Sequence, residues 1–260
     1  MSRSVDRALE ALVRVARADG PLRFTELLDL TGVPRGTLHD LLASLESAGF
    51  LERNSHGAYQ VGATAFEVGM HMPLSSSLHE DLHPELETLA ATTGEACHLG
   101  TLVDSDVIYL DRCDQGVGLR WRSKPGQRLP AYSTGVGKAM LATLTDREVR
   151  DLLPDHLVRP TPATVKDADE LLRELAQIRE RGYSLESEES TPGVCCIGIG
   201  TKTAGRPLAV SIAVPTQRSA APDLVRFLPS LRNCLDRIEV LVRAHERSGT
   251  QRTEPRESAS

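Results

Sequence analysis

Forty residues near the N-terminus constrain this chain most. Between Leu22 and Val61, two stretches of helical apolar spacing flank Thr31-Gly32, and two short alternating segments follow. Leu27, Leu28 and Leu30 precede the turn; Val33, Leu38, Leu41, Leu42 and Leu45 follow it. Gly32 stands where the first helix must stop. Pro34 suits the opening turn of the second, where a missing N–H is no loss. That second helix has an apolar back and a polar front at Arg35, Gly36, Thr37 and His39. Phe50-Leu51 and Tyr59-Gln60-Val61 read as strands around an Asn54-Ser55-His56-Gly57 turn. The pattern is a winged helix-turn-helix. An ordinary helical hairpin shares the apolar spacing but explains neither the polar front nor the hairpin. Such a helix can lie in a major groove with its N-terminal residues at base edges. The expected partner is a double-stranded DNA operator, touched by Arg35, Gly36, Thr37 and His39, with Arg53 and His56 on the wing.

Charge tempers that expectation. The 260 residues carry a net charge of −6. Residues 1–72 hold seven Arg, no Lys and nine acids, a net of −2. Strong non-specific affinity rests on neutralising phosphates, so binding here is expected to depend on Arg clustered on one face and on dimerisation. The length suggests two domains. A content of 40% hydrophobic and 25% charged residues describes a soluble globular chain. No stretch approaches the ~20 apolar residues that cross a bilayer, and the N-terminus lacks a signal-peptide core. The five cysteines (97, 113, 195, 196 and 234) are odd in number and form no C-x-x-C pair. Neither a disulfide framework nor a zinc knuckle is indicated, and a reducing cytoplasm is the expected setting.

Along the chain, Val5–Ala18 reads as an amphipathic helix stopped at Asp19-Gly20-Pro21. The helix pair and wing follow, then a helical stretch over Gly62–Met70. Pro73 and Ser75-Ser76-Ser77 mark the expected boundary. Beyond it, helices are expected at Leu78–Ala91, Val136–Leu144, Asp146–Leu153, Asp167–Arg181 and Pro222–His245. Strands are expected at Cys97–Val103, Val107–Cys113, Leu119–Ser123, Tyr183–Glu188, Val194–Thr203 and Leu208–Val214. Glu246–Ser260 lacks large apolar residues and is expected to be disordered. The fold class is α+β: a DNA-binding domain with linker helix over 1–73, an effector-binding domain over 74–247, and a tail over 248–260.

Several stretches together carry a family resemblance. They are Val33-Pro34-Arg35-Gly36-Thr37-Leu38-His39, Tyr109-Leu110-Asp111-Arg112, Ser133-Thr134-Gly135-Val136-Gly137-Lys138-Ala139, Ile178-Arg179-Glu180-Arg181-Gly182-Tyr183 leading to Glu188-Glu189, Gly193-Val194-Cys195-Cys196-Ile197, and Leu208-Ala209-Val210-Ser211-Ile212-Ala213-Val214-Pro215. In their order and spacing the chain resembles the IclR family of bacterial transcription regulators. The resemblance implies a GAF-like second domain that binds a small metabolite. It implies dimers joined through the DNA-binding domains and tetramers through the effector domains. It puts the effector carboxylate near Gly135, Val136 and Gly137, and Glu186, Cys196 and Ser211 at pocket positions. Ala213 stands where many relatives carry a second Ser, which points to a larger or less polar effector, such as an aromatic acid or acyl derivative, over glyoxylate or pyruvate. The chain departs from the family at Gly36, usually Ser, and Asp40, usually Arg. Both changes imply a weaker or differently distributed grip on the DNA backbone.

Other patterns point away from catalysis. Gly135-Val136-Gly137-Lys138-Ala139 fails a Walker A at both ends, Tyr132 and Ala139, and reads as a tight turn opening a helix. No G-x-S-x-G, no Cys placed with His and Asn, and no metal spacing is present, so neither enzyme chemistry nor a cofactor is expected. Cys195 and Cys196 point to opposite faces of a strand, Cys195 for packing and Cys196 for the pocket; a redox-responsive regulator using this pair is the alternative. His79 and His83 lie one helical turn apart and read as a solvated face rather than a zinc site.

Overall fold

The computed structural model describes residues 3–18, 20–70, 76–114, 124–203 and 205–251. They form two compact units, Met1–Ser76 and Ser77–Ser260.

In the first unit, α1 (Arg3–Arg17) buries Ala11 and Val15. α2 (Phe24–Thr31) ends at Gly32, whose φ of 61° lets its N–H reach the Leu28 carbonyl at 3.0 Å. Only glycine takes that left-handed conformation without strain. α3 (Arg35–Ser47) follows Pro34 and buries Leu38, Leu42 and Leu45. These side chains close a core with Leu27, Val33, Leu51 and Tyr59; each is worth roughly 1.5–3 kcal/mol removed from water. The wing pairs β1 (Leu51–Arg53) with β2 (Tyr59–Val61). Its turn is organised by Asn54, whose Oδ1 accepts from the backbone N–H of His56 and Ala58. Tyr59 also exchanges two backbone hydrogen bonds with Leu22, tying the wing to the entry of α2. α4 (Ala63–Met70) closes the unit.

The second unit is built on one antiparallel six-stranded sheet. α5 (Ser76–Thr93) leads into β3 (Ala96–Val103) and β4 (Asp106–Cys113). Then come β5 (Arg128–Pro130), α6 (Gly135–Leu141), α7 (Asp146–Leu152), α8 (Ala168–Arg181), β6 (Ser184–Ser187), β7 (Val194–Thr203), β8 (Arg206–Pro215) and α9 (Leu228–Gln251). The strand order is β5-β4-β3-β8-β7-β6, so the first and last hairpins meet in the middle through β3 and β8. α6 and α8 cover one face with Val136, Met140, Leu171, Leu175 and Ile178. α9 lies against β7 and β8 from the other face and joins α5, where Arg237 pairs with Glu85 at 2.7 Å.

Some differences from the sequence expectations have local causes. The expected terminal helix is split into a 3-10 segment, Ala221–Phe227, and α9, because Pro229 lacks the donor a continuous helix would need there. The sequence pattern does not single out β5: it is a three-residue edge strand ending on Pro130, which only an edge tolerates. Glu246–Gln251, expected to begin a disordered tail, instead forms the last turns of α9, since no proline interrupts the hydrogen-bond ladder there; the strand expected at Leu119–Ser123 and residues 252–260 lie outside the described residues. Among the described residues, no helix is long and apolar enough to cross a membrane.

Candidate nucleic-acid interface and effector pocket

The N-terminal turn of α3 presents Arg35, Gly36 and His39 to solvent, with Thr37 half-buried. Leu38 and Leu42 hold the opposite side of the helix in the core, which fixes the side the polar front takes. The Arg35 guanidinium lies 5.4 Å from the Phe24 ring centroid, an interaction that orients a cation without consuming its donors. Nothing stands within 4 Å of a Cβ built at Gly36, so its missing side chain leaves open space. His39 Nδ1 is 3.5 Å from the carboxylate of exposed Asp40. On the wing, Arg53 stacks over Tyr59 at 4.8 Å and pairs with Glu46 at 3.2 Å. Exposed pairs of this kind are worth ~0–1 kcal/mol, little against a phosphate competitor. His56 is exposed at the tip.

The second unit holds a partly open cavity of about 40 Å³ lined by His98, Tyr109, Leu129, Thr134, Gly135, Val136, Ser190, Thr191, Val194, Cys196, Ser211 and Ala213. Sheet register assembles it. His98 of β3 opposes Ser211 of β8, and Cys196 of β7 opposes Ala213 of β8. Two adjacent rows of side chains thus face α6. Glycines allow the close approach: a Cβ on Gly135 would sit 2.8 Å from the Cys196 Cβ, and one on Gly200 would overlap the Ala139 carbonyl oxygen. Thr134 caps α6, its Oγ1 accepting from the Gly137 N–H at 3.0 Å. Gly135 and Val136 line the cavity; Gly137 does not.

Glu186 does not line it either. It pairs in register with Cys196 and sits behind it, fully buried. Its Oε1 accepts from the N–H of Glu189 at 2.5 Å and of Ser190 at 3.3 Å, whereas Oε2 is buried with no hydrogen-bond partner. Burial pushes the Glu186 carboxyl up to about 7, against the opposing pull of the Glu189 N–H and the Cys196 thiol. Burial likewise pulls His98 down to about 3, with Arg112 adding to the effect. His98 is therefore neutral at physiological pH and offers one donor and one acceptor. Its ring meets Tyr109 edge-on at 5.3 Å. Tyr109 is raised by burial first, then by Cys196 and Glu186, and remains a hydroxyl donor. Cys195 turns away from the cavity, its Sγ within 3.2 Å of the Ser219 carbonyl. Burial pushes Cys195 up to about 11 and raises Cys196 well above the ordinary thiol range, which keeps the thiolate, the reactive form, scarce at both.

Of the expected pocket residues, Gly135, Val136, Cys196, Ser211 and Ala213 come together; Gly137 and Glu186 support the wall. Sequence reasoning missed His98, Tyr109, Thr134, Ser190 and Thr191. Thr134 and Tyr109 lay inside the resemblance motifs, which was the available signal; nothing local marked His98.

Lys138 is the largest side chain buried without exposure. Its ammonium pairs with Glu189 at 2.5 Å and Glu174 at 2.7 Å, which ties α6 to α8 and to the segment carrying Ser190 and Thr191.

A winged-helix unit joined to an α+β unit with a polar internal cavity is the architecture of a one-component transcription regulator. The family model "Bacterial transcriptional regulator IclR C-terminal" matches residues 71–240, and "IclR helix-turn-helix domain" matches residues 4–55. The chain is 31% identical to the HTH-type transcriptional regulator XynR of Escherichia coli (strain K12), over 88% of this chain and 92% of the relative. It is 36% identical to the HTH-type transcriptional regulator BhcR of Paracoccus denitrificans (strain Pd 1222), over 83% and 78%. A solved IclR homolog from Microbacterium hydrocarbonoxydans, complexed with 4-hydroxybenzoate, superposes with a TM-score of 0.77 at 23% identity, over 93% of this chain and 99% of that one. The chain belongs to the IclR family of bacterial transcriptional regulators.

Proposed function

We propose that α3 reads a two-fold related operator through Arg35, Thr37 and His39, with Arg53 and His56 of the wing on the flanking backbone, and that a small organic acid in the second unit modulates this binding without catalysis, in the cytoplasm. The observation that carries the ligand reading is the cavity itself. Buried His98, Tyr109, Thr134 and Ser211 converge on one space, and a few placed polar groups in an otherwise apolar lining are what orients a small ligand. The solved homolog complexed with 4-hydroxybenzoate supports the same class of occupant. A space of about 40 Å³ admits a few waters or a small acid. The cavity is partly open, so a small keto- or hydroxy-acid needs less movement of the lining than the aromatic occupant that Ala213 suggests. Calorimetry with pyruvate, glyoxylate and 4-hydroxybenzoate, followed by operator binding with each, tests this. Binding of the aromatic acid alone, or ligand binding that leaves operator affinity unchanged, overturns it.

The regulator acts as a homo-oligomer, at least a dimer. Val5, Leu9 and Val13 recur every four residues on α1 and are 56%, 53% and 39% exposed, an apolar stripe suited to a second copy. Leu9→Glu is expected to yield monomers in light scattering and to lose operator affinity; unchanged mass refutes the placement of the interface on α1. The raised thiols of Cys195 and Cys196 supply no support for the redox alternative.

A further inference from the structure

We infer that the second unit carries a binding site for a transition-metal ion, of the Zn2+ class, formed by His79 and His83 of α5 with Asp111 and Cys113 of β4. The two histidines are one helical turn apart, so their rings share a face of α5 and stand 5.7 Å apart between centroids. The sheet supplies the rest. The register of β3 on β4 shifts between Leu99 and Gly100, leaving Leu110 without a partner. A bulge of one residue changes which side a strand presents. Tyr109 thus lines the effector cavity, while Asp111 and Cys113 turn to α5.

Three of the four donor atoms, those of His79, His83 and Asp111, are already gathered. His83 Nδ1 is 2.8 Å from Asp111 Oδ2 and 3.6 Å from Cys113 Sγ, and His79 Nδ1 is 4.0 Å from the same Asp111 oxygen. A tetrahedral ion with bonds of about 2.0–2.3 Å holds its ligands roughly 3.3–3.7 Å apart. The ligand atoms of His79, His83 and Asp111 all lie within 4.8 Å of one another and need shifts of about an ångström, which the half-exposed His79 can supply; Cys113 Sγ lies near His83 alone and joins as fourth ligand only by a larger side-chain movement. Asp111 Oδ1 accepts from the Arg112 N–H at 2.7 Å, which fixes the carboxylate with Oδ2 toward the histidines. Such an orienting hydrogen bond is a recurrent support of metal ligands. Glu87 and Asp114 add negative potential around Cys113. Two imidazoles, one carboxylate and one thiol favour Zn2+ or Co2+ over Mg2+ or Ca2+, which take oxygen ligands.

Such an ion would fasten the start of α5 to the sheet. That start is the weaker part of the helix, since Pro84 lies within it and removes the hydrogen bond to the carbonyl four residues back. α5 also opens the second unit in the chain, directly after the boundary at Ser76–Ser77. The site is separate from the effector cavity and shares none of its lining residues.

The test uses the full chain after chelator treatment, titrated with Zn2+ by calorimetry and with Co2+ by absorption. One equivalent of Zn2+ is expected to bind at micromolar or tighter Kd. His79→Ala and His83→Ala should each weaken it at least tenfold, and Asp111→Asn likewise, with circular dichroism unchanged. The Co2+ form should show the visible bands of a tetrahedral ion and a thiolate-to-metal charge-transfer band that Cys113→Ser removes. Binding that survives the double histidine variant, or a stoichiometry below one, overturns the site. Absence of the thiolate band in the wild type overturns the four-ligand set.

Discussion

Glu186→Gln probes the burial of a carboxyl behind the cavity of the second unit. Wild-type Glu186 is raised from an ordinary 4.5 to about 7, so the folded state holds its proton where the unfolded state releases it. Stability from this group is fully present below about pH 4.5 and is lost as pH rises through about 7. At about 1.36 kcal/mol per pH unit the full loss is about 3 kcal/mol. No discount for screening applies, because the side chain is 1% exposed. Gln keeps an oxygen for the Glu189 and Ser190 N–H groups but cannot ionise. Its amide meets no partner where Oε2 stands now, a cost of about 1–3 kcal/mol that does not depend on pH. The readout is therefore the pH slope rather than the offset. Urea unfolding of both proteins, followed by circular dichroism at intervals from about pH 5 to pH 8, should show wild type losing about 2.5 kcal/mol relative to the variant. In calorimetry the same difference is on the order of ten degrees in Tm for a unit of this size. A difference that stays flat, or grows in the wild type's favour with pH, refutes the assignment of a protonated buried carboxyl.

Replacing Arg35, Thr37 and His39 together by Ala should abolish specific operator binding in fluorescence anisotropy, at roughly 1–3 kcal/mol for each base edge no longer reached; a folded variant that binds like wild type sinks the reading-helix assignment. Asp40→Arg removes an acid beside that helix and should strengthen DNA binding and steepen its salt dependence by about one phosphate contact, with an unchanged slope counting against phosphate proximity. Lys138→Met leaves Glu174 and Glu189 without their buried ammonium and should cost about 3–5 kcal/mol in urea unfolding. Gly200→Ala drives a Cβ into the Ala139 carbonyl oxygen, and a loss of about 1–3 kcal/mol is expected; a neutral effect would show that α6 can lift from β7 freely.

The winged helix-turn-helix was legible in the sequence because its determinants are local. A leucine stripe, a glycine at a left-handed turn, a proline at a helix start and a four-residue wing turn act within a few positions of one another. The same holds for Asp167, whose side chain caps α8 by accepting from the Glu170 N–H at 2.8 Å, and for Gly182, which ends that helix. Strands β7 and β8 were legible from their apolar runs, but not which strands they would meet. The pairing of β3 with β8 joins segments more than a hundred residues apart, and it alone places His98 opposite Ser211. Burial of Lys138, which sequence composition argues against, depends on two carboxylates brought from α8 and the β6–β7 connection. Leu110 reads as one more apolar residue in an alternating strand, yet the bulge there decides that Tyr109 faces the cavity and that Asp111 faces His83. Periodicity fixes which residues share a face of one element; only the register between elements fixes which faces meet, because hydrogen-bonded pairing is a property of two strands at once.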